Sequence, residues 1–212
     1  MKDGFLNRLM YHQLIICVLS ITIMFAQNEV DIHNLQIKDG MYYEPLGMKP
    51  YTGRIIDVNN HGNIILETDC VRGEISGLWI TWYDNGKKES EGYFENGYKS
   101  GLWKSWHNTG DLWKEGYYVF DKKEGTWLYW YLNGNNQELK TYRNGKLDGP
   151  IKQWYSNGQK KIIGHYKELS KYEVSRKYGK WVYYLNESGT ARISKYYGNN
   201  YCLLYTSPSP RD

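Results

Sequence analysis

Residues 77–100 read GLWITWYDNGKKESEGYFENGYKS, and the glycines of this stretch recur every 24 residues along the chain. One series consists of Gly53, Gly77, Gly101, Gly125 and Gly149, and a second of Gly62, Gly86, Gly110, Gly134 and Gly158. Self-similarity at a fixed period of this length is the signature of a repeat array. We therefore predict that the protein consists of stacked copies of one small structural unit.

The tryptophans follow the same period. One position is occupied by Trp79, Trp103 and Trp127, with Ile151 in the fourth copy, and another by Trp82, Trp106, Trp130 and Trp154. A partial copy starts at Gly179 with Trp181, displaced by six residues because of an insertion around LSKYEVSRKY. A single pair of tryptophans three residues apart would suggest an aromatic ligand pocket. Their repetition indicates instead that they are first of all scaffold residues.

Asn-Gly pairs separate short segments that are rich in Trp, Tyr, Ile and Thr. The pairs occupy residues 85–86, 96–97, 133–134, 144–145 and 157–158. Asn-Gly favours a type I′ hairpin turn, because both residues tolerate the positive φ angles that this turn requires. The intervening segments have the length and composition of strands, and no stretch after residue 27 has a sustained helical period. We predict an all-β fold, a single-layer, extended antiparallel meander of stacked β-hairpins.

The spacing of the tryptophans also predicts where they point. Side chains alternate between the two faces of a strand, so Trp79 and Trp82 should lie on opposite faces if no bulge intervenes. Aromatic residues of the intervening strands should then complete a ladder on each face. Because each copy contacts only its neighbours, the stability of such an array is nearly a sum of nearest-neighbour contributions.

The units G-x-W-x-x-W-Y-x-N-G, followed by EGYFENG, resemble the bacterial variant of the MORN repeat. The lead-in DGMYYEPLGMKPYTGRI, residues 39–55, is similar to the segment that precedes the array in many of these proteins, some of which are labelled antitoxins of toxin–antitoxin systems. The resemblance covers about residues 39–201. It implies an extended array of hairpins that interacts with membranes, lipids or proteins, and it brings no catalytic residues with it.

The two ends of the chain differ from the array. Residues 1–26 have Lys2 and Arg8 ahead of an apolar run, which is the layout of a bacterial signal peptide. Residues 27–50 form a lead-in, and residues 51–201 form about six copies of the repeat, the last one truncated. Residues 202–212 resemble a translated sequencing adapter. We expect an exported protein, periplasmic, associated with the outer membrane or secreted, in which Cys70 is the single cysteine of the mature repeat region.

Charge is distributed unevenly along the array. Residues 28–139 contain 11 basic and 17 acidic side chains, whereas residues 140–201 contain 13 basic and 4 acidic ones. A basic surface interleaved with aromatic residues is suited to anionic lipids or acidic envelope polymers, although most charge runs are only solvated surface. The candidate surface consists of Lys140, Arg143, Lys146, Lys152, Lys160, Lys161, Lys167, Lys171, Arg176 and Lys177.

Motifs of catalysis and of cofactor binding do not occur in the sequence. It has no nucleophile elbow, zinc-protease motif, phosphate-binding loop or dinucleotide-binding glycines. The histidines share no metal-ligand spacing, and His107 replaces the tyrosine found at Tyr83, Tyr131 and Tyr155. We therefore expect neither an enzyme nor a cofactor.

Three functions remain open. The first is a non-catalytic extracytoplasmic module that binds a protein, a lipid or an envelope component. The second is a carbohydrate-binding or choline-binding cell-wall protein, because GKWVYYLNESG at residues 179–189 looks like the aromatic repeats of choline-binding proteins. The third is an antitoxin-like protein. Export disfavours a nucleic-acid partner, and the open edge of a truncated array predicts edge-to-edge self-association.

Overall fold

The structure, a computed structural model, describes residues 29–169, 174–198 and 202–205, the last four by their backbone alone. The predicted signal peptide, Lys171 and most of the adapter-like tail lie outside these residues. The strands of the array are β4 (Gly53–Val58), β5 (Ile64–Val71), β6 (Glu74–Trp82), β7 (Lys88–Glu95), β8 (Tyr98–Trp106), β9 (Leu112–Val119), β10 (Lys122–Trp130), β11 (Asn136–Arg143), β12 (Lys146–Trp154), β13 (Lys160–Leu169), β14 (Val174–Tyr184), β15 (Arg192–Tyr197) and β16 (Cys202–Tyr205). The lead-in contains β1 (Glu29–Asp31), a 3-10 turn (Ile32–Asn34), β2 (Gln36–Lys38) and β3 (Met41–Tyr43).

The predicted meander is confirmed. From β4 to β16 each strand pairs with the next in an antiparallel register, within one sheet of 14 strands that also includes β1. No helix in the described part of the chain is long and apolar enough to cross a membrane.

The N-terminal edge departs from a pure antiparallel meander, because β1 pairs with β4 in parallel. Parallel neighbours need a long connection, which the 3-10 turn and the separate β2–β3 hairpin supply. The lead-in also packs over one face of β4–β6 and forms a small core of Leu35, Tyr51, Ile55, Cys70 and Ile75. At this end, therefore, the sheet has a covering layer that the repeat pattern alone does not predict.

Two kinds of turn connect the strands, one kind at each end of the strands. Asn96-Gly97 and Asn144-Gly145 have positive φ at both residues and close two-residue hairpins, as predicted. The prediction was wrong for the pairs at 85–86, 133–134 and 157–158, where only the glycine has positive φ. Those turns are longer, since Tyr83 N–H donates to the Lys87 carbonyl and Gly86 N–H to the Tyr83 carbonyl. The asparagine there caps the loop instead, with its Oδ1 accepting from the backbone N–H two residues later.

The two tryptophan positions lie on opposite faces of the sheet, which we call the front face, with Trp103 and Trp127, and the back face, with Trp106 and Trp130. Strand alternation requires this separation, and the pairing of β8 with β9 preserves it. The two sets differ in burial: Trp103, Trp127 and Trp181 are buried, whereas Trp82, Trp106, Trp130 and Trp154 are only partly buried. The front-face series is therefore the main apolar support of the array.

Each buried tryptophan rests on a glycine of the preceding strand. Gly92 on β7 faces a bulge of three residues on β8 that runs from Gly101 to Trp103. A Cβ at Gly92 would lie 2.1 Å from the Trp103 ring, and the indole N–H donates to the Tyr93 carbonyl at 3.2 Å. The same arrangement joins Gly116 to Trp127 and Gly164 to Trp181. The predicted glycine positions Gly77, Gly101, Gly125, Gly149 and Gly179 are the bulge residues, all with positive φ.

Aromatic side chains of the intervening strands complete the front ladder. Phe94 lies between Trp79 and Trp103, with ring centres 5.2 and 5.3 Å away. Tyr118 lies between Trp103 and Trp127, at 6.0 and 4.9 Å, mostly edge to face. The ladder is resumed by Tyr166, Trp181 and Tyr197 at the other end of the array.

Candidate binding surfaces on the two faces of the sheet

Lysines of the protein itself occupy the aromatic cages of the front face. Lys99 Nζ lies 4.2 Å from the centre of the Trp103 ring, and Lys123 Nζ lies 4.2 Å from that of Trp127. Lys177 Nζ lies 4.5 Å from Trp181 and within 5.4 Å of two tyrosines, Tyr183 and Tyr197. Each lysine precedes its tryptophan by four residues and stabilises it by a cation–π interaction.

This finding bears on the choline-type hypothesis. The stretch 179–189 contributes Trp181 and Tyr183 to an aromatic cage, as that hypothesis requires, but the ammonium in the cage is that of Lys177. Its Nζ also donates to the Tyr183 hydroxyl at 2.9 Å. An external quaternary ammonium would have to displace this lysine.

A groove of about 370 Å³ opens on the front face over β6–β9, in the size range of small-molecule sites. Its lining residues are Trp79, Thr81, Tyr83, Glu89, Ser90, Phe94, Lys99, Trp103, Ser105, Trp113, Lys114, Tyr118 and Trp127. The groove combines aromatic walls with hydroxyl groups and two ammonium groups. Sequence reasoning did not predict it.

The groove exists because one cross-strand row changes in size along the sheet. Directly paired residues of this row are Thr81, Ser90, Ser105, Lys114, Tyr129, Glu138, Gln153, Ile162 and Tyr183. The first three are small and leave space above the sheet, whereas the later ones fill it. Comparison of the copies position by position would have revealed this change, because the row follows the 24-residue period.

The two lysines that line the groove form no ion pair with a described carboxylate. Lys99 Nζ and Lys114 Nζ form no ion pair or hydrogen bond with any described residue. Burial lowers the pKa of Lys114, and the positive charges of Lys123 and Lys99 lower it further. Burial also lowers the pKa of Lys99, against the opposing effect of Asp121. A partly buried cluster of like charges favours the approach of an anion.

Trp113 forms the wall of the groove that is next to the turn between β8 and β9. It is the extra residue of a bulge, because Trp106 pairs with Leu112 and Ser105 pairs with Lys114. Trp113 is 38% exposed, and the centre of its ring lies 4.2 Å from Lys114 Nζ and 5.9 Å from the centre of the His107 ring. The other copies have Glu89, Gln137 and Lys161 at this position, so an aromatic residue here is not required by the repeat.

The predicted basic surface divides into two groups. Lys152, Lys160, Lys167 and Arg176 lie exposed on the back face of β12–β14, where strand alternation also places Lys180. Lys167 lies directly opposite Arg176 and 5.0 Å from the Tyr178 ring. None of these five forms an ion pair with a described residue.

The other predicted members are already engaged. Lys140 contacts Glu138 at 2.7 Å, Arg143 contacts Asp148 at 3.2 Å, and Lys146 contacts Glu168 at 2.9 Å. Lys161 lies over the Tyr155 ring and Lys177 fills its aromatic cage. Strand alternation and local carboxylates therefore separate these side chains from the back-face group, so the candidate surface is not continuous.

In the acidic part of the chain, by contrast, lysines on the back face are paired with carboxylates. Lys88 pairs with Glu91, and Lys104 lies 3.5 Å from Glu115. An array of the same construction therefore accommodates paired charges on this face, whereas the five cations of β12–β14 form no ion pair with a described residue.

Asp31, His33 and Asp57 form a cluster that sequence reasoning missed, since the three residues are brought together by the parallel pairing of β1 with β4. His33 Nε2 lies 3.3 Å from Asp57, and Asp31 accepts the backbone N–H of His33 at 2.8 Å. The histidine is largely exposed, and the contacts are those of a polar surface pair and a capped turn.

Three segments of the chain, residues 75–96, 99–119 and 147–168, match the model of the MORN repeat variant family. The predicted resemblance to MORN repeats is confirmed for these segments, which correspond to the hairpins β6–β7, β8–β9 and β12–β13. Each includes a glycine that supports a tryptophan, Gly92, Gly116 or Gly164, whereas the β10–β11 hairpin between them has Lys140 there. No curated protein has significant similarity to the chain.

Proposed function

We propose that this protein is a non-catalytic, exported repeat protein that binds an anionic surface of the cell envelope through the back face of β12–β14. Phospholipid headgroups and acidic envelope polymers have the required chemistry. The observation that carries the proposal is a group of five exposed cations on that face that form no ion pair with a described residue, Lys152, Lys160, Lys167, Arg176 and Lys180.

Their arrangement supports membrane or polymer binding in two ways. The five cations lie on one face of a single continuous sheet, so they can approach an anionic surface together. Each cation near an anionic membrane contributes about 1 kcal/mol. Tyr178, which is 43% exposed, lies among them, and tyrosines are enriched at membrane interfaces. MORN repeats commonly form protein or membrane interaction modules, which agrees with this proposal.

The proposal is tested by co-sedimentation with vesicles of phosphatidylglycerol and phosphatidylcholine. Binding should be strong at about 20 mM salt and weak at about 500 mM salt, because ions screen exposed charges. Neutralising four of these five cations, with Lys152→Gln, Lys160→Gln, Lys167→Gln and Arg176→Gln together, should remove most of it.

A matched control removes the same charge elsewhere, with Lys49→Gln, Lys87→Gln, Lys104→Gln and Lys122→Gln together, and should leave most of the binding. Equal loss in both variants would show that net charge, rather than the back-face group, is responsible. Negligible binding at low salt, to vesicles and to a polyanion such as teichoic acid alike, would contradict the proposal.

A further inference from the structure

We propose that the front-face groove over β6–β9 binds an acidic sugar, a hexuronate unit of a glycan, with its carboxylate between Lys99 and Lys114 and its ring against Trp113. This site lies on the opposite face from the basic group of β12–β14, and its existence does not depend on that group.

Two residues of the site, Trp113 and Lys114, lie at positions where this copy departs from the repeat. Scaffold positions keep the same residue type in nearly every copy, as the glycine and tryptophan series do. At the position of Lys114 the other copies have Ser90, Glu138 and Ile162, and at that of Trp113 they have charged or amide side chains. Packing of the array therefore requires neither residue.

The charge of the groove selects an anionic ligand. Lys99 and Lys114 both line it, together with one carboxylate, Glu89, and neither ammonium forms an ion pair with a described residue. An anion placed between them would form charge-assisted hydrogen bonds in a partly desolvated site, where such bonds are strong. A neutral ligand would leave the mutual repulsion of these cations unrelieved.

The remaining groups select a polyhydroxylated ring. Ser90 and Thr81 hydroxyls lie 2.7 Å apart, and the Ser105 hydroxyl forms no hydrogen bond with a described residue. These hydroxyls and the Glu89 carboxylate can donate to or accept from sugar hydroxyls on one side of the ring. The exposed indole of Trp113 offers the other side an apolar platform with a polar edge, as aromatic residues do at interfaces.

The shape of the site favours a sugar unit over a lipid surface as its ligand. The groove is recessed between aromatic walls, with Trp113 on one side and the Trp79–Phe94–Trp103 ladder on the other. A single sugar unit can enter such a recess, whereas a bilayer surface would meet only its rim. The back-face group, which is exposed and has no recess, has the opposite character.

The experiment is isothermal titration calorimetry of the whole protein with trigalacturonate, and with its fully methyl-esterified form as the neutral match. We expect saturable binding of the acid and at least about tenfold weaker binding of the ester, the loss typical of one charge-assisted contact. Binding of both with equal affinity, or of neither, would overturn the proposal.

Three variants import residues that other copies tolerate at the same positions. Ser105→Tyr introduces the residue of Tyr129 and fills the groove, Lys114→Ser introduces that of Ser90, and Trp113→Gln introduces that of Gln137. Each should lower the affinity for trigalacturonate at least about tenfold, while unfolding in urea confirms an intact fold. Lys87→Gln, in an adjacent turn, serves as the control and should bind normally.

Vesicle binding distinguishes the two faces. The fourfold back-face variant should retain trigalacturonate binding, and Ser105→Tyr should retain vesicle binding. If folded Ser105→Tyr bound trigalacturonate normally, or lost vesicle binding instead, the groove would not be the sugar site.

Discussion

Lys140 on β11 lies directly opposite Ile151 on β12, and this pair replaces the glycine and tryptophan that occur together in three other copies. Where Gly116 is present, the bulge of β10 ends at Trp127 and the indole covers the glycine. Where Lys140 is present, the bulge moves by one residue to face Thr141, and the smaller Ile151 pairs normally. The glycine therefore decides whether a tryptophan can be buried in the next strand.

The first prediction concerns this dependence. Gly116→Ala should destabilise the protein by about 1–3 kcal/mol, because the new Cβ would lie 2.2 Å from the Trp127 ring. In a Trp127→Ile background, which imitates the fourth copy, the same substitution should cost much less, with a coupling of about 0.5–3 kcal/mol. Urea unfolding of the four proteins measures the cycle. Equal costs in the two backgrounds would show that the ring and the glycine are independent.

The second prediction separates the two faces. Trp127→Ala should lower the free energy of unfolding by about 3–5 kcal/mol, as expected for a fully buried aromatic residue. Trp130→Ala, three residues away on the back face, should cost about 1–3 kcal/mol, since its side chain is only partly buried. A larger loss for Trp130 than for Trp127 in denaturant melts would contradict the assignment of the main support to the front face.

The third prediction concerns His107. Tyr83 and Tyr131 donate through their hydroxyls to the carbonyls of Trp106 and Trp154, at 2.7 and 2.8 Å. His107 occupies the same position, and its buried Nε2 has no hydrogen-bond partner among the described residues. His107→Tyr should therefore stabilise the protein by about 1 kcal/mol, by making the missing bond to the next copy. Tyr131→Phe is the matched control and should lose a similar amount in the same thermal or urea measurement.

The fourth prediction concerns alkaline pH. Burial raises the pKa of Cys70 from its ordinary value to about 11. A raised pKa means that the stabilising contribution is complete below the unfolded-state pKa and is lost as the pH rises through the folded-state value. Between about pH 8 and pH 10 this thiol should therefore reduce the free energy of unfolding by about 1 kcal/mol.

Urea unfolding of the wild-type protein and of Cys70→Ala at both pH values measures this contribution. The variant should show a smaller decrease between the two pH values, although its stability at the lower pH is reduced by the cavity. An identical decrease in both proteins would assign the alkaline loss to tyrosines rather than to Cys70.

The fold could be predicted from the sequence because the residue spacing within one repeat fixes the strand lengths and the two faces of the sheet. The spacing of Gly77 and Gly101 gives the length of two strands and two turns, and the interval between Trp79 and Trp82 gives the two faces. These features are local, and every copy repeats them. The same reasoning failed at Asn85-Gly86, since the dipeptide is compatible with two turn types and the loop length decides between them.

The candidate sites were less predictable, because they depend on which copy differs from the others. Lys152 and Lys140 belong to the same charge-rich stretch, but only the structure shows that Glu138 neutralises one of them. The groove arises from small residues on adjacent strands, Ser90 and Ser105, whose pairing is not apparent in a linear reading. Gly92 and Gly116 are visibly 24 residues apart, but the reason that glycine is required there became clear only from the indole that covers it.

The β13–β14 hairpin shows how such a protein can change in length without losing its pattern. Its strands have 10 and 11 residues, whereas β11 and β12 have 8 and 9, so each strand has grown by two. An increment of two returns every side chain to its original face, and Trp181 still covers Gly164. One hairpin can thus be lengthened, and the front and back faces extended at its turn, provided that residues are gained in pairs on each strand. A protein engineer could use the same rule to add a recognition segment there while the ladder stays in phase.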